Sequence, residues 1–399
     1  MLLLNTSPIY LKCGLLLQKS ETLIKEITAL QNVFQYINTS ITIEYKSKLL
    51  LLFKINYYNI SHFKQSKDYT FIQDKLNICN TYASIHNKDS TEIKLNTHKD
   101  SISILNSPRN KSIHVPFCYY CGYLTGKREM LVYELFHMKC IKIGHLNQLS
   151  IYGIDFICAN IQNAFFKLPN TSVHTLIRVG QGIESTCDKE YLSLKGNLYP
   201  FILANVLEGV SIYRVESPTV FNRLGGNTLG ATTLWSLLTM TCDYENPDEA
   251  IEDALKGDNR LIDLSVGDIY GGNYSRFSLG SELIASSFGK VKYTKNVNDV
   301  NKKDISRSLV TLFASAVSQM TAFISVSGKI DKIILVGNPF ESLVLMQMFQ
   351  VCTAMFSKNR VHEMFSDYSQ YLEIIGMCVE LDKTQLVAFD IEDEYKGLI

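Results

Sequence analysis

The sequence predicts an α/β protein with two domains, and three observations lead to this prediction. The chain has 399 residues, which suits two cores better than one at about 150 residues per domain. Strand-like and helix-like segments alternate through most of the chain beyond residue 113, as they do in α/β sheets. Glycine-rich stretches follow several predicted strands, where α/β proteins bind their ligands.

The charge balance is neutral, with 39 Lys plus Arg and 39 Asp plus Glu. No overall field therefore attracts nucleic acid or an anionic membrane. The longest apolar runs, such as Leu49–Phe53, fall far short of the roughly 20 residues that span a bilayer. We expect a cytoplasmic protein with no nucleic-acid partner and no membrane partner.

Ten cysteines are scattered through the chain, which fits reduced thiols better than a disulfide framework. Cys118 and Cys121 form one close pair, and with His114 they would supply half of a zinc site. The sequence offers no second pair for the remaining ligands. We expect buried cysteines and no metal bound by this chain.

The first half contains fewer clear elements than the second. Polar composition predicts a partly disordered insertion at about 57–110. The apolar run Ile154–Ala159 predicts a strand, and the spacing of apolar residues over Thr171–Ser185 predicts a helix. We expect a first lobe over 1–200 and a second lobe over 201–399.

The second half begins with a predicted hairpin, Phe201–Val206 and Val210–Val215, around a turn at 207–209. A glycine-rich stretch over 225–233 then predicts a loop that opens onto a helix. Free N–H groups and the helix dipole favour an anion at such a helix start.

The later elements read more regularly. Asn246 predicts the N-cap of a helix with Pro247 at its first position and Glu249 at the capping-box position. Asp304–Ser325 predicts a long amphipathic helix. Ile330–Val336 predicts a strand that ends at a turn, and Leu343–Phe356 predicts the helix behind it.

Three stretches carry a family resemblance: 222–230 (NRLGGNTLG), 267–277 (GDIYGGNYSRF) and 334–338 (ILVGN). Their order and spacing resemble the eukaryotic-type (type II) pantothenate kinases. Lys256–Asp258 and Ala285–Gly289 match the same family in place. The resemblance covers residues 150 to 381.

The resemblance implies an actin-like ATPase or sugar-kinase-like fold with two ribonuclease-H-like lobes. It also implies MgATP as the cofactor and a dimer formed by the second lobe. The family reaction transfers the γ-phosphoryl group of ATP to the hydroxyl of pantothenate in coenzyme A biosynthesis. In this family, tyrosines of one subunit reach into the neighbour's pantothenate pocket.

Several positions depart from the family pattern. The best match to the first phosphate loop retains only Lys12, because Asn5 replaces the aspartate that organises Mg²⁺ and Pro8 replaces a glycine with a phosphate-facing N–H. Leu168 occupies the position of the catalytic glutamate and cannot accept a proton. Glu208 replaces a serine that touches pantothenate, and its charge would repel anions.

Other positions agree with the family. Arg223 matches the arginine that binds the pantothenate carboxylate, and Tyr270 and Tyr274 match the tyrosines near the pantetheine end. A degenerate nucleotide site is expected at these residues: Lys12, Gly209, Gly225, Gly226, Gly230, Gly337 and Asn338.

The sequence therefore predicts a divergent pantothenate kinase paralogue whose isolated chain is inactive and binds MgATP weakly or not at all. Its predicted partner is a second, complete pantothenate kinase chain, or a second copy of itself. Two alternatives stay open. One is an active kinase with a different alignment of the first lobe, and the other is a regulatory or scaffold subunit that binds acyl-coenzyme A without turnover.

Overall fold

The structure is a computed structural model that describes residues 2–6, 10–18, 37–45, 48–56, 65, 72–74, 117–121, 139–168, 188–277, 279–293 and 300–383. The helix predicted over Thr171–Ser185 lies outside these residues. So does the predicted insertion at 57–110, except for residues 65 and 72–74.

The chain divides into two compact units. Unit 1 consists of Met1–Phe156 and Tyr371–Ile399, and unit 2 consists of Ile157–Gln370. The units thus meet after Phe156 and after Gln370, and not at the predicted boundary at residue 200. The C-terminal part of the chain belongs with the N-terminal unit.

A mixed sheet forms the centre of unit 1. Its described strands are β1 Leu2–Thr6, β2 Tyr10–Gln18, β3 Ile37–Tyr45, β4 Lys48–Asn56, β5 Phe117–Cys121 and β6 Lys139–Lys142. They lie in the order β3-β4-β2-β1-β5-β6. The pairs β1·β2, β2·β4 and β3·β4 are antiparallel, whereas β1·β5 and β5·β6 are parallel.

Two helices pack closely in unit 1, α1 over Leu146–Asn160 and α7 over Leu372–Lys383. Glycines allow the close approach, because a Cβ on Gly153 would lie 2.1 Å from the carbonyl oxygen of Leu372 and one on Gly376 would lie 2.0 Å from that of Leu149. Beside this contact, the buried hydroxyl of Ser150 donates to Oε1 of Glu373 at 2.9 Å.

The strand predicted over Ile154–Ala159 is wrong, since these residues lie in α1. Leu149, Ile151, Ile154 and Ile157 are all fully buried. A helix buried on several sides shows the same short apolar run as a buried strand, and periodicity over six residues does not separate the two.

Unit 2 is also built on a mixed sheet. Its strands are β9 Phe201–Val206, β10 Val210–Ser217, β11 Val220–Asn227, β14 Lys332–Val336 and β15 His362–Met364. They lie in the order β11-β10-β9-β14-β15. β9, β10 and β11 are antiparallel neighbours, whereas β9·β14 and β14·β15 are parallel.

The two sheets share one strand order. In each sheet, three antiparallel strands are followed by two parallel strands, the nearer of which pairs with β1 in unit 1 and with β9 in unit 2. The order β4-β2-β1-β5-β6 in unit 1 therefore corresponds to β11-β10-β9-β14-β15 in unit 2. β3 is an additional edge strand. This mixed α/β architecture, repeated in both units, confirms the predicted fold class, although the sequence showed no clear internal repeat.

The remaining elements all lie in unit 2. Its helices are α2 Ala231–Cys242, α3 Pro247–Lys256, α4 Val266–Tyr270, α5 Lys302–Ser327 and α6 Leu343–Ser357. The short strands are β7 Phe165–Lys167, β8 Glu190–Leu192, β12 Leu264–Ser265 and β13 Ile284–Ser286. The predicted hairpin, the N-cap at Asn246 and the helices at 304–325 and 343–356 are confirmed.

Helix α5 is the one helix of the described residues with the length and apolar composition of a membrane span. However, 56 % of its most apolar 18-residue stretch is buried inside the protein. Phe313 of α5 packs edge to face on Phe349 of α6, and both rings are fully buried. Such burial is typical of a core helix, and α5 forms the centre of the unit 2 core.

Candidate functional site

The turn between β9 and β10 lies against the start of α2. The Leu207 N–H donates to the Gly209 carbonyl at 2.9 Å, and the Ala231 N–H donates to the Leu207 carbonyl at 2.7 Å. Gly230 is the N-cap of α2, and a Cβ there would lie 2.2 Å from the carbonyl oxygen of Glu208. Only glycine fits at this close approach of two backbones.

The start of α2 has the properties of an anion site. Its N-cap has no side-chain hydrogen bond, and its first turn contains no acidic residue. The first N–H groups of a helix have no acceptor inside the helix, and the dipole is positive at this end. The loop before α2 is held by the bond from the Leu229 N–H to Oδ1 of Asn227, at 2.9 Å. A loop over residues 228–230 therefore opens onto a helix start, as the sequence predicts.

Gly225 and Gly226 lie inside β11, and not in the loop that the sequence predicted. Gly226 pairs with Ser211 of β10. A Cβ on Gly226 would lie 2.5 Å from Nη2 of Arg223 and 2.5 Å from the carbonyl oxygen of Val210. Glycine is usually a turn signal, but in this edge strand it leaves room for the guanidinium of a neighbouring residue.

Arg223 and Glu208 bring opposite charges to this edge of the sheet. Both side chains are exposed, and among the described residues neither has a hydrogen-bonding or ionic partner. The Arg223 guanidinium lies over Gly226, which pairs with Ser211 of β10. A guanidinium without a partner suits a carboxylate ligand, whereas the carboxylate of Glu208 disfavours an anion.

The turn after β14 lies at the same edge. β14 runs parallel to β9, and Val336 pairs with Asn205, so both strands end together. Gly337 has φ of 126°, and a Cβ there would lie 1.9 Å from the carbonyl oxygen of Val206. Asn338 then begins a single 3₁₀ turn, Asn338–Glu341. The structure thus brings Gly209, Gly230, Gly337 and Asn338 together at the carboxyl ends of parallel strands, the usual ligand edge of an α/β sheet.

Leu168 lies in a different environment. Its side chain is 1 % exposed and belongs to the hydrophobic core of unit 2. The Leu168 N–H donates to Oε1 of Gln350 at 3.0 Å, and Nε2 of Gln350 donates to the Leu168 carbonyl at 2.6 Å. One amide side chain on α6 therefore satisfies both backbone groups of Leu168.

The residues before Leu168 are held just as firmly. Phe166 of β7 pairs in an antiparallel bridge with Phe365, through backbone hydrogen bonds of 2.9 and 2.8 Å. The buried Ser366 hydroxyl donates to the carbonyl of Ala164 at 2.7 Å. We call residues 164–168 the Leu168 segment. Its residues Phe166 and Leu168 belong to the hydrophobic core of unit 2.

Tyr270 and Tyr274 form an exposed aromatic pair at the end of α4. Their rings are stacked, with centroids 4.3 Å apart and an interplanar angle of 9°. Phe277 lies beside them, at 5.1 Å from the Tyr274 ring. Tyr270 is 54 % exposed and Phe277 is 61 % exposed. Large aromatic rings with this exposure are typical of a binding surface.

The helix that carries Tyr270 is short but well fixed. Ser265 and Asp268 form a reciprocal capping box at its start, and Nζ of Lys290 pairs with Oδ2 of Asp268 at 2.6 Å. Desolvation works to raise the pKa of Asp268, but the hydrogen bonds from Lys290 and Ser265 outweigh it and lower this pKa to about 2. Asp268 therefore stays ionised, and it keeps α4 in place.

No sequence pattern predicts the buried charge cluster that lies in the segment before α4. Arg307 of α5 is 1 % exposed and Asp263 is fully buried. Burial lowers the pKa of Arg307 to about 10, although the charges of Asp263 and Asp258 oppose this shift. Burial likewise raises the pKa of Asp263, and Nδ2 of Asn259 donates to its Oδ2 at 2.5 Å. The cluster fastens residues 257–293 to α5.

One sequence signal, the triplet Lys256–Asp258, could have revealed this cluster, and the contacts of Gly257 show why. A Cβ on Gly257 would lie 2.2 Å from the carbonyl oxygen of Lys303, and the N–H of Asp258 donates to Oδ1 of Asp304 at 2.6 Å. The triplet Lys256–Asp258, which matches the family, is thus a docking point on the first turn of α5.

The first phosphate loop and the cysteine pair are described only in part. Lys12 lies in β2 opposite Asn5 of β1, as expected for a hairpin at this position. Cys118 and Cys121 lie in β5, and His114 lies outside the described residues. Within the described ranges, no group of three or more His, Cys, Asp or Glu side chains would hold a metal ion.

The sheet order and the glycine-lined edge define an α/β protein with a candidate ligand site at the ends of parallel strands. A comparison with protein families then identifies the family to which this α/β protein belongs. The family model named Fumble matches residues 51–380, and the chain belongs to this family, the type II pantothenate kinases.

Pantothenate kinases of other organisms are among the proteins similar to this chain. The chain is 34 % identical over 191 residues to a pantothenate kinase of Schizosaccharomyces pombe, covering 47 % of each protein. It is 32 % identical over 200 residues to pantothenate kinase 2 of Arabidopsis thaliana, covering 49 % of this chain and 22 % of the relative. The matched region spans about half or less of these relatives.

Among solved structures, glucokinase from Balamuthia mandrillaris with bound glucose covers 94 % of this chain and 91 % of its own, at a TM-score of 0.38 and 11 % identity. A similarity at this level does not support any argument about the site.

Proposed function

We propose that this chain is a subunit of a heteromeric pantothenate kinase and that it works with a second, catalytically complete pantothenate kinase chain. The holoenzyme transfers the γ-phosphoryl group of MgATP to the hydroxyl of pantothenate in coenzyme A biosynthesis. The observation that carries the proposal is the burial of Leu168 with both of its backbone groups bonded to Gln350. The names of the relatives support the substrate.

Phosphoryl transfer to a hydroxyl needs a carboxylate that positions the hydroxyl and accepts its proton. Loss of such a group typically costs 10² to 10⁴ in rate. Leu168 cannot supply one, and its place in the core leaves no space for an ionised side chain. The chain on its own is therefore expected to be inactive.

The fit to MgATP is incomplete in unit 2. The glycine backbone that would face phosphates is present at Gly209, Gly230 and Gly337, but Glu208 adds a carboxylate at the same turn. When bound, MgATP would supply the phosphoryl group. These residues favour weak or absent MgATP binding by the isolated chain.

The features that suit a partner are retained. Arg223 has an unengaged guanidinium among the described residues, and the stacked rings of Tyr270 and Tyr274 are exposed. The segment before α4 contacts α5 through Gly257 and the N–H of Asp258. A subunit built in this way can lose its own chemistry and still complete a pantothenate pocket on a partner.

Purification from native cells tests the heteromer. The tagged chain is expected to bring down a second pantothenate kinase chain, and the complex is expected to phosphorylate labelled pantothenate while the pure single chain does not. A complex that contains only this chain would instead be a homodimer, and robust activity of that homodimer would overturn the proposal.

The substitution Tyr270→Ala tests the role of the aromatic pair in the complex. We expect the KM for pantothenate to rise by about tenfold, equal to roughly 1.4 kcal/mol, with unchanged KM for ATP. Tyr293→Ala is the matched control, because Tyr293 is 70 % exposed and contacts Lys292 instead of the pair. An unchanged pantothenate KM in Tyr270→Ala would favour a regulatory or scaffold subunit that binds coenzyme A thioesters.

A further inference from the structure

A cavity of about 220 Å³ lies at the opposite edge of the unit 2 sheet, where the parallel strands β14 and β15 begin. The length of β14, five residues or about 16 Å, separates this edge from the glycine-lined edge. We call it the amino-edge cavity, and its lining residues are Val326, Lys329, Ile330, Asp331, Arg360 and Val361.

The buried part of this lining is aliphatic, and the exposed part is charged. Ile330 is 3 % exposed and Val361 is 4 % exposed, and both belong to the hydrophobic core of unit 2. The side chains of Lys329, Asp331 and Arg360 are exposed. In the described part of the chain, no ion pair joins the carboxylate of Asp331 to either cation. Opposite charges therefore line one cavity without neutralising each other.

The ends of helices α5 and α6 explain some of this charge but not all of it. Nε of Arg360 donates to the Ser357 carbonyl at 2.9 Å, which satisfies a free carbonyl at the end of α6. The side chain of Lys329 makes no hydrogen bond to any described residue. Its φ is 54°, in the left-handed region that glycine adopts at lower cost. A role in ending the helix would therefore favour glycine over lysine at position 329.

The size and the charges of the amino-edge cavity suit a small zwitterion. Its volume equals that of roughly seven waters at about 30 Å³ each, so it accepts a molecule of on the order of ten non-hydrogen atoms. A carboxylate on the ligand matches the cations Lys329 and Arg360, and an ammonium group matches Asp331. A short aliphatic group then covers the buried side chains of Ile330 and Val361.

We propose that the amino-edge cavity binds a free aliphatic α-amino acid of about the size of leucine. The ligand places its carboxylate between Lys329 and Arg360, its ammonium group on Asp331 and its side chain on the aliphatic part of the lining. The inference goes beyond the proposed function, because it concerns a second ligand at the edge of the sheet opposite to the candidate site for pantothenate and nucleotide.

Binding is measured by titrating the full chain with leucine and following the isotope-labelled methyl resonances of Val326, Ile330 and Val361 by NMR. Two probes of similar shape each lack one charge: isocaproate lacks the ammonium group, and isoamylamine lacks the carboxylate. We expect leucine to shift these resonances until the site is saturated. Each probe is expected to bind about five- to tenfold more weakly, because it leaves a charge of the cavity unmatched.

Three variants of the full chain locate the site. Lys329→Gly removes a cation and suits the left-handed backbone, and Asp331→Asn removes the carboxylate at nearly equal size. We expect each change to weaken leucine binding about three- to fivefold. Lys358→Gly is the matched control, because Lys358 is also exposed and has φ of 55°, but it does not line the cavity. Its affinity for leucine is expected to equal that of the native chain.

Any of three results would overturn the inference: methyl resonances that leucine does not shift, a probe that binds as tightly as leucine, or equal affinities in Lys329→Gly and Lys358→Gly. None of these measurements involves a second kinase chain, pantothenate or MgATP. Failure of the proposed heteromer would therefore leave the affinities for leucine unchanged, and the two failures are distinguishable.

Discussion

The Leu168 segment and residues 257–293 differ in exposure within unit 2. The Leu168 segment lies in the core, where Gln350, Phe365 and Ser366 bond to its backbone. Residues 257–293 include exposed, stacked aromatic rings. One region contributes to core packing, whereas the other offers a surface that suits binding.

The exposed aromatic rings follow a short helix, α4, whose start is fixed by a complete capping box. The segment before this helix contacts α5 through Gly257 and Asp258, and the charges of Asp263 and Asp258 act on the buried Arg307. We therefore expect the aromatic surface to lose order when Arg307 is replaced, and we expect the Leu168 segment not to tolerate a charge.

The largest effect is expected from Arg307→Met. This change leaves Asp263 buried without its nearby positive charge, and breaking a buried charge interaction costs about 3 kcal/mol or more. Urea unfolding measures the loss of free energy, and hydrogen exchange is expected to rise over residues 257–293. Arg260→Met is the control, because Arg260 is an exposed partner of Asp258 and such pairs contribute less than about 1 kcal/mol. Equal effects of the two changes would show that the cluster does not anchor the surface.

A slightly smaller effect is expected from Leu168→Glu. Burying a carboxyl group without partners and losing the leucine packing together cost about 2–4 kcal/mol. Burial would raise the pKa of the new carboxyl group, so the loss of stability is expected to be greater at pH 8 than at pH 5. Leu168→Met, which keeps the volume, is the control. Kinase activity in the purified single chain with the Leu168→Glu substitution would contradict our interpretation of the segment.

The smallest effect concerns Glu363 of β15, which lies near the Leu168 segment. Burial raises the pKa of Glu363 to about 8, and a hydrogen bond from Thr353 opposes this only in part. The unfolded chain loses this proton near pH 4.3, so between about pH 4.3 and 8 the folded state binds more protons than the unfolded state. The free energy of unfolding is therefore expected to fall gradually as the pH rises through this window.

The substitution Glu363→Gln removes this titration. We expect a flatter dependence of the unfolding free energy on pH, measured in urea at several pH values between 5 and 8. Glu245→Gln, at an exposed position, is expected to leave the native slope unchanged. An identical slope in Glu363→Gln and the native chain would show that the carboxyl group is ionised in the folded protein.

Local patterns predicted much of unit 2. The hairpin strands, α5 and α6 were predicted within a few residues because each has a clear period and clear end signals, such as the cap at Asn246. The α1 helix was read as a strand because its burial hides the helical period. Gly225 and Gly226 were read as a loop because their use in an edge strand depends on Arg223, whose place over the strand is tertiary.

Contacts between distant residues could not be predicted. The apolar residue type of Leu168 is visible in the sequence, but the hydrogen bonds to its backbone come from Gln350, 182 positions away. Arg307 looked like an ordinary helix residue because nothing local shows that Asp263 lies beneath it. A single sequence contains the residue types of such a cluster but not their distances.

The close packing of α1 and α7 has a consequence for synthesis of the chain. Ile374 of α7 also lies against Gly14 of β2, so this face of the first sheet is covered only after about 360 more residues have left a ribosome that adds roughly 5–20 residues per second. The apolar face of β2 and β4 therefore waits on the order of 20–70 seconds for its covering helix. During that interval the nascent chain exposes a surface that invites chaperones or a co-translationally made partner.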